Sequence, residues 1–405
     1  MISSKKMNID LMKQFNKRSI LRSIRDNAPI SRAEISELLN LSRPSVSALV
    51  SELIDDGWVR EMQTVKGRRG RRPIPLEIHP HIHYVVGVEL GAYHVTTVLC
   101  NLRGTVIQSQ EFELSEHPEV SEVLNRIAGS VFTLLETAQI LKKQVLGIGI
   151  AMHGPVDPER GLSIFAPNLG WHNVEVAKQL QSKTGLFTLV ENDAISSGIA
   201  ERWFGYGKSE ANFLTLIVDY GIGAGITFDG KIYRGAHHIG GQVGHTTVNE
   251  DGPLCSCGNY GCLEVMSSEP AIVRQVQKRL RLGEPSILSA LERITAGDVY
   301  YAAHQQDSLA LDVIRTAARY LGVGMAHLIN ILDPRVIVLG GGITRAADLV
   351  IPIIRDVIQR RAMGSDAKQT PVLVSQLGKD LYPVGGATLV IERMFEDPPF
   401  TASTH

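Results

Sequence analysis

Cys255-Ser256-Cys257-Gly258-Asn259-Tyr260-Gly261-Cys262-Leu263-Glu264 packs three of the chain's four cysteines into eight residues. His245 precedes the run by ten positions. Cys₃His is a common tetrahedral zinc set, and Gly258 and Gly261 let so short a loop fold around one ion. The reading is a metal site made by His245, Cys255, Cys257 and Cys262. Four protein ligands close the coordination shell, which makes such a zinc structural rather than hydrolytic. Four cysteines in 405 residues are too few for a disulfide framework. Cys100 falls in an apolar strand pattern and reads as core.

Outward from the cysteine run, residues 81–405 alternate strand and helix patterns. Apolar runs at 84–91, 95–102, 106–114, 145–152, 187–190, 213–218, 224–228, 336–339 and 371–374 predict strands. The 3.6-residue pattern predicts helices over 119–142, 174–184, 194–204, 270–282 and 308–332. Such alternation, rich in Val, Ile and Gly, is α/β texture. Two glycine clusters, Gly221–Gly225 and Gly340–Gly342, adjoin strands; glycine-rich turns let backbone N–H groups reach a phosphate or a sugar, and equally serve plain turns. Polar residues gather beside the same elements: Asn168 and Trp171, the pair Asn192-Asp193, Gln242 and Glu264. Asn and Asp at strand ends suit vicinal hydroxyls, and an aromatic ring can pack on a sugar's apolar face. Asn192-Asp193 also fits a helix N-cap.

The first 80 residues have a different character. They hold 15 Lys and Arg against 9 Asp and Glu, whereas the rest of the chain holds 26 against 33. A basic head on an acidic body is the charge footprint of a nucleic-acid-binding module. Ser31-Arg32-Ala33-Glu34 is a capping box opening a short helix. Asn40-Leu41-Ser42 reads as a turn, and Ser42 with Pro44 starts a further helix. Val46, Leu49, Val50, Leu53 and Ile54 mark its buried face; Arg43, Ser45, Ser47 and Ser51 its polar face. Short hydrogen-bonding side chains with one Arg suit phosphates and base edges. Two extended segments then flank Lys66-Gly67-Arg68-Arg69-Gly70-Arg71-Arg72, five positive charges in seven residues. This is a winged helix-turn-helix over residues 1–80, with Arg43, Ser45, Ser47, Lys66, Arg68, Arg69, Arg71 and Arg72 as DNA-contact candidates.

At 44% hydrophobic residues the chain can build real cores, which excludes a disordered polymer. No run of 18 apolar residues argues for a membrane span, and the first residues lack the apolar core of a secretory signal, so the expected location is cytoplasmic.

Together, Glu191-Asn192-Asp193-Ala194, Gly221–Gly225, Gly244-His245, the cysteine run through Glu264, and Gly340–Gly342 resemble the ROK family (repressors, open reading frames and sugar kinases) over roughly residues 82–395. The winged head resembles its repressor branch, that of the xylose, glucose-related and N-acetylglucosamine repressors. The resemblance implies an actin-like, hexokinase-type ATPase body of two α/β lobes, here 81–193 and 194–405. It implies one structural zinc and a sugar cleft using Asn168, Asn192, Asp193, Gln242, His245 and Glu264. It further implies a homodimer or tetramer on palindromic operator DNA.

Two positions depart from the family pattern. Family kinases open with an Asp-x-Gly-Gly-Thr-type phosphate loop, where this chain reads Glu89-Leu90-Gly91-Ala92-Tyr93-His94. Ala92 and Tyr93 add bulk where bare backbone must approach phosphate, which argues against ATP binding and against an enzyme. Gln242 stands where the family has Glu; an amide both donates and accepts, so the preferred hydroxyl pattern should differ. The expectation is a sugar-responsive repressor of carbohydrate-utilisation genes. The alternatives are an active sugar kinase using Asp193 as base, and a repressor governed by a protein partner.

Overall fold

The computed structural model describes residues 2–62 and 74–396, with side chains described from Leu11 onward. The head comprises α1 (Ile2–Asn27), β1 (Ile30–Ser31), α2 (Arg32–Leu39), α3 (Arg43–Asp55), β2 (Val59–Glu61) and β3 (Pro75–Ile78). The capping box at the start of α2 is closed on both sides: Ser31 N–H donates to Glu34 Oε2 at 2.8 Å and Glu34 N–H to Ser31 Oγ at 3.3 Å. Asn40, at a φ of 50°, turns the chain after α2, and Ser42 caps α3. Val46, Leu49, Val50 and Leu53 are buried, while Arg43, Ser45, Ser47 and Ser51 are exposed. The three short strands pair in the order β1-β3-β2, antiparallel. This is the winged helix expected from the sequence; Lys66, Arg68, Arg69, Arg71 and Arg72 lie outside the described residues.

The first lobe is built on β4 (Tyr84–Leu90), β5 (His94–Asn101), β6 (Val106–Glu113), β7 (Val145–Met152) and β11 (Thr188–Asn192), in the order β11-β7-β4-β5-β6. Helices α4 (Val120–Thr137) and α5 (Val176–Thr184) cover one face, burying Val86, Val88, Ile148, Ile150 and Val190. α4 stops short of the expected Lys142 because Gln139 takes a φ of 57° and ends the helix. A small sheet of β8 (Val156–Asp157), β9 (Leu162–Ala166) and β10 (Trp171–Val174), not foreseen, interrupts the β7–β11 connection.

The second lobe repeats the plan. After α6 (Asp193–Phe204) come β12 (Phe213–Val218), β13 (Ile222–Phe228) and β14 (Lys231–Ile232). Next are α7 (Leu263–Ser267), α8 (Glu269–Arg281), α9 (Ala296–His304) and α10 (Ser308–Leu332). β15 (Val336–Gly340), α11 (Ala347–Arg361), β16 (Val372–Val374) and α12 (Leu381–Glu396) complete the chain. The sheet order is β14-β13-β12-β15-β16. In each lobe the first three strands form an antiparallel meander and the last two add parallel to its first strand. Two sheets with the same order and sense are the actin-like duplication.

The last helix crosses back. α12 lies chiefly on β4 and β7 of the first sheet, beside α6. A Cβ at Gly149 would collide with the Gly386 carbonyl, and one at Gly87 with the Pro383 carbonyl, so these glycines permit near-backbone contact. The linear division at 193/194 is therefore corrected for α12, which follows the second lobe in sequence but packs on the first.

Head and body share one core. Ile20, Ile24, Val50 and Trp58 of the head cluster with Val85, Val98, Val390, Ile391 and Phe395 of the body. Trp58, 2% exposed, packs against the tilted ring of His83 at a centroid distance of 4.6 Å and meets Phe395 edge-on at 6.4 Å. The Arg25 guanidinium lies 4.3 Å from the Trp203 ring centroid. Glu77 of β3 bonds Arg60 in the head and Arg103 in the body; burial would raise its carboxyl, and the two guanidiniums hold it below its usual range instead.

Candidate functional site

The cysteine loop closes on itself before any ion is considered. Cys255 N–H donates to Asn259 O at 2.7 Å, and an isolated bridge pairs Thr247 with Cys262. His245 ends the single 3₁₀ turn Val243–His245. One ligand atom from each of His245, Cys255, Cys257 and Cys262 falls within 4.8 Å of the other three. Cys257 Sγ lies 3.7 Å from Cys262 Sγ, and Cys255 Sγ lies 3.6 Å from His245 Nδ1. A tetrahedron with bonds of about 2.3 Å to sulfur and about 2.0–2.1 Å to nitrogen has edges of about 3.8 Å (S–S) and 3.6 Å (S–N). The donor set and its spacing therefore fit one tetrahedral metal ion. Nδ1 of His245 faces the sulfurs, which leaves Nε2 on the opposite edge of the ring.

This loop borders the cleft. Glu264, one residue into α7, accepts the Ile222 N–H at 3.1 Å, tying the metal loop to the turn that opens β13. Gln242 is half-buried and makes no side-chain hydrogen bond among the described residues. Across the cleft, β11 delivers Asn192 and α6 begins at Asp193. Asn192 Oδ1 accepts from Ala194 N and Ile195 N at 3.0 and 3.2 Å, and its Nδ2 donates to Gly154 O at 3.1 Å. Asn192 is thus a helix cap and a loop tether in this conformation, with its polar atoms already engaged. Asp193 is different: burial, then the nearby carboxylates of Glu89 and Asp219, push its carboxyl up to about 7. Asn168 is half-buried in the 167–170 turn and makes no side-chain hydrogen bond among the described residues. Trp171 does not line the cleft: it is 3% exposed in the first-lobe core, its Nε1 donating to Pro118 O at 3.0 Å. A buried indole needs a partner for its N–H, and the Pro118 carbonyl supplies one inside the lobe.

The altered first phosphate-loop segment and several residues without a local sequence signal fill the rest of the cleft. Tyr93, on the β4–β5 hairpin, donates to the hydroxyl of Tyr220, which follows β12; the 2.9 Å bond joins the two lobes. Glu89 pairs with His94 at 3.2 Å, which raises the imidazole's pKa. Tyr382 of α12 donates to Asp219 Oδ2 at 3.0 Å. Glu269 receives Arg345 at 2.7 Å and the Tyr300 hydroxyl at 3.1 Å, and a Cβ on Gly342 would strike its carboxylate. Burial and then Asp219 raise Glu269 to about 7. Neither glycine cluster is an open cradle here. Gly225 permits close packing of β13 against Ala194 and Gly198 of α6, and Gly342 is roofed by Glu269. No helix of the described residues is long and apolar enough to cross a membrane.

The comparisons with known proteins agree with this architecture. The ROK family model matches residues 85–393, and a winged helix-turn-helix DNA-binding model matches residues 16–60. A putative xylose repressor of Caldicellulosiruptor sp. (strain Rt8B.4) is 34% identical over 397 residues, 96% of this chain and 98% of that one. A solved ROK family transcriptional regulator, described as a homologue of the E. coli MLC protein, superposes with a TM-score of 0.82 at 31% identity, covering 95% of this chain and 97% of its own. A ROK family glucokinase from Streptomyces griseus, solved with glucose and AMPPNP, gives a TM-score of 0.67 at 28% identity and covers 76% of this chain and 98% of its own. With the family model spanning the two-lobed body and a relative similar along nearly the whole length, the chain belongs to the ROK family.

Proposed function

We propose that the chain is a sugar-responsive transcriptional repressor of carbohydrate-utilisation genes, acting in the cytoplasm as a homodimer or tetramer. The observation that carries this reading is the exposed polar face of α3, presented by a head that shares its hydrophobic core with a two-lobed cleft. In this reading α3 enters the major groove with Arg43, Ser45 and Ser47 at base edges and phosphates. Lys66, Arg68, Arg69, Arg71 and Arg72 neutralise the backbone. A monosaccharide or derivative binds between the lobes against Asn168, Asp193, Gln242, His245 and Glu264, with Asn192 bracing the loop. Zinc at His245, Cys255, Cys257 and Cys262 fixes the second-lobe wall of that cleft. The sugar acts by binding one lobe arrangement more tightly than the other, and so shifts the spacing of paired heads.

The test is fluorescence anisotropy on DNA from immediately upstream of the gene, titrated with aldoses, amino sugars and their phosphates. Tight, salt-sensitive binding that one sugar releases is the expected result. DNA binding indifferent to every sugar would remove the effector half of the proposal, and no DNA binding would remove the repressor half.

One observation favours a second reading, that of a sugar kinase. A carboxyl raised to about 7 is near the optimum for a general base at neutral pH. Against it stand Tyr93 and the Glu89–His94 pair at the first phosphate-loop position, and Glu269 over Gly342. Sugar-dependent ADP release that vanishes in Asp193→Asn would favour the kinase.

A further inference from the structure

Buried polar atoms without partners are rare and point to function when a ligand can reach them. Among the described residues, two histidines bury both ring nitrogens without a hydrogen bond of standard geometry: His83 and His153. His83 lies in the head–body seam, packed against Trp58. His153 lies at the cleft. It is the residue after β7, whose last position, Met152, is in register with Asn192 of β11 and with Leu90 of β4. His153 and Asp193 are the residues that follow this last register pair on their two segments.

The face is set by alternation. Ile148, Ile150 and Met152 point into the core under α4 and α5. Gly147 and Gly149 face α12, where a Cβ would meet Val390 and Gly386. His153 continues the second set, as Glu89 does on β4 after Gly87. Both belong to the face turned toward the inter-lobe space. Gly154, next in sequence, is held by Asn192 Nδ2, so the backbone that carries His153 is tied to the residue beside Asp193.

We propose that His153 is a further ligand-binding and specificity-determining residue of the cleft, hydrogen-bonding a carbohydrate hydroxyl beside Asp193. The proposal rests on the sugar-binding reading above. Burial lowers the imidazole pKa to about 4, so the ring is neutral at physiological pH and offers one donor and one acceptor. A hydroxyl is the complementary group, since it both accepts and donates. A backbone hydrogen bond at Leu90 works against that shift and favours a proton on the nitrogen it engages. The other nitrogen is then the acceptor. With the carboxyl of Asp193, which follows the same register pair, it would give the cleft two groups able to grip hydroxyls of one sugar.

The experiment is isothermal titration calorimetry of the full-length protein with D-xylose, D-glucose and N-acetyl-D-glucosamine. The variants are His153→Phe, which keeps the ring and removes both nitrogens, His153→Asn, which keeps a donor and an acceptor, and Asp193→Asn as a reference for cleft binding. The expected result is that the sugar bound by the natural protein binds at least tenfold more weakly to His153→Phe, with His153→Asn between the two. His153→Asn alone carries the test if His153→Phe does not fold. Affinity for His153→Phe within twofold of the natural protein (or for His153→Asn where His153→Phe does not fold), while Asp193→Asn loses binding, would overturn the role of His153 and leave the sugar cleft standing. If the natural protein binds none of the three, the variants are compared on whichever aldose, amino sugar or sugar phosphate of the wider panel it binds; if it binds none of those, the sugar reading fails and His153 falls with it.

Discussion

Removing the metal ion should loosen the second-lobe wall by an amount that can be worked out beforehand. The perturbation is dialysis against a strong chelator, alongside Cys257→Ala, which deletes the exposed ligand of the four. A bound ion at about a thousand times its Kd stabilises the folded chain by about 4 kcal/mol. Unfolding entropy of about 2.1 cal/mol/K per residue, over 405 residues, converts this to a shift of roughly 5 °C in Tm. The effect should extend beyond the loop, because Glu264 follows Cys262 by two residues and anchors the Ile222 N–H at the start of β13. The assay is a thermal melt with metal quantified by mass spectrometry. One zinc per chain, a fall of several degrees on chelation, recovery on adding zinc, and no response to either in Cys257→Ala are expected. A purified chain with no stoichiometric metal and a Tm indifferent to chelator and zinc would refute the reasoning.

Other consequences follow from the same geometry. The folded-state pKa of Asp193 is raised, so the protonated carboxyl is the form that suits the fold: its contribution is present at pH 4 and lost as pH climbs through about 7. Asp193→Asn should therefore stabilise the sugar-free protein at pH 8, by up to a few kcal/mol at roughly 1.4 kcal/mol per unit, and so raise its Tm there, with little change at pH 4; melts at the two pH values decide it. Trp58→Ala opens a cavity in the shared core and should cost about 3–5 kcal/mol, lowering one common transition when melts are followed in head and body together. Arg43→Ala should weaken operator binding and reduce the slope of log K against log salt by about one, read by anisotropy across a salt series.

What the sequence revealed and what it hid divide along local versus distant causes. The capping box, the Ser42 cap and the apolar stripe of α3 are settled within a few residues, and the head followed them. The Cys₃His group was equally legible, because its ligands lie on one short loop and a neighbouring turn. Most strands of both sheets could be read as apolar runs, but the short β8–β10 sheet could not. The helical pattern does not mark α7, α9, α11 or α12. α12 is a case in point: Gly385, Gly386 and Pro383 weaken its helical signal, yet Gly386 lets it press against β4 and β7, and Gly385 against Ser196 of α6. Trp171 was read as an aromatic for a sugar; its partner, the Pro118 carbonyl, lies 53 residues away and leaves no trace in local spacing. The Tyr93–Tyr220, Tyr382–Asp219 and Glu269–Arg345 contacts join elements from across the chain for the same reason. The glycines at 225 and 342 illustrate the converse: one residue type serves close packing and ligand approach alike, and only the neighbours tell which.

α12 works as a lever. Its first turn holds Tyr382 against Asp219 at the cleft, and its last turn holds Phe395 against Trp58 of the head. At about 1.5 Å per residue its 16 residues span roughly 24 Å. A tilt of about 5° around the cleft end would carry the far end some 2 Å, on the scale of a hydrogen bond. A flexible tether would absorb such a tilt as slack. Here the joint is packed hydrophobic core, so the head turns with the lobe that carries it.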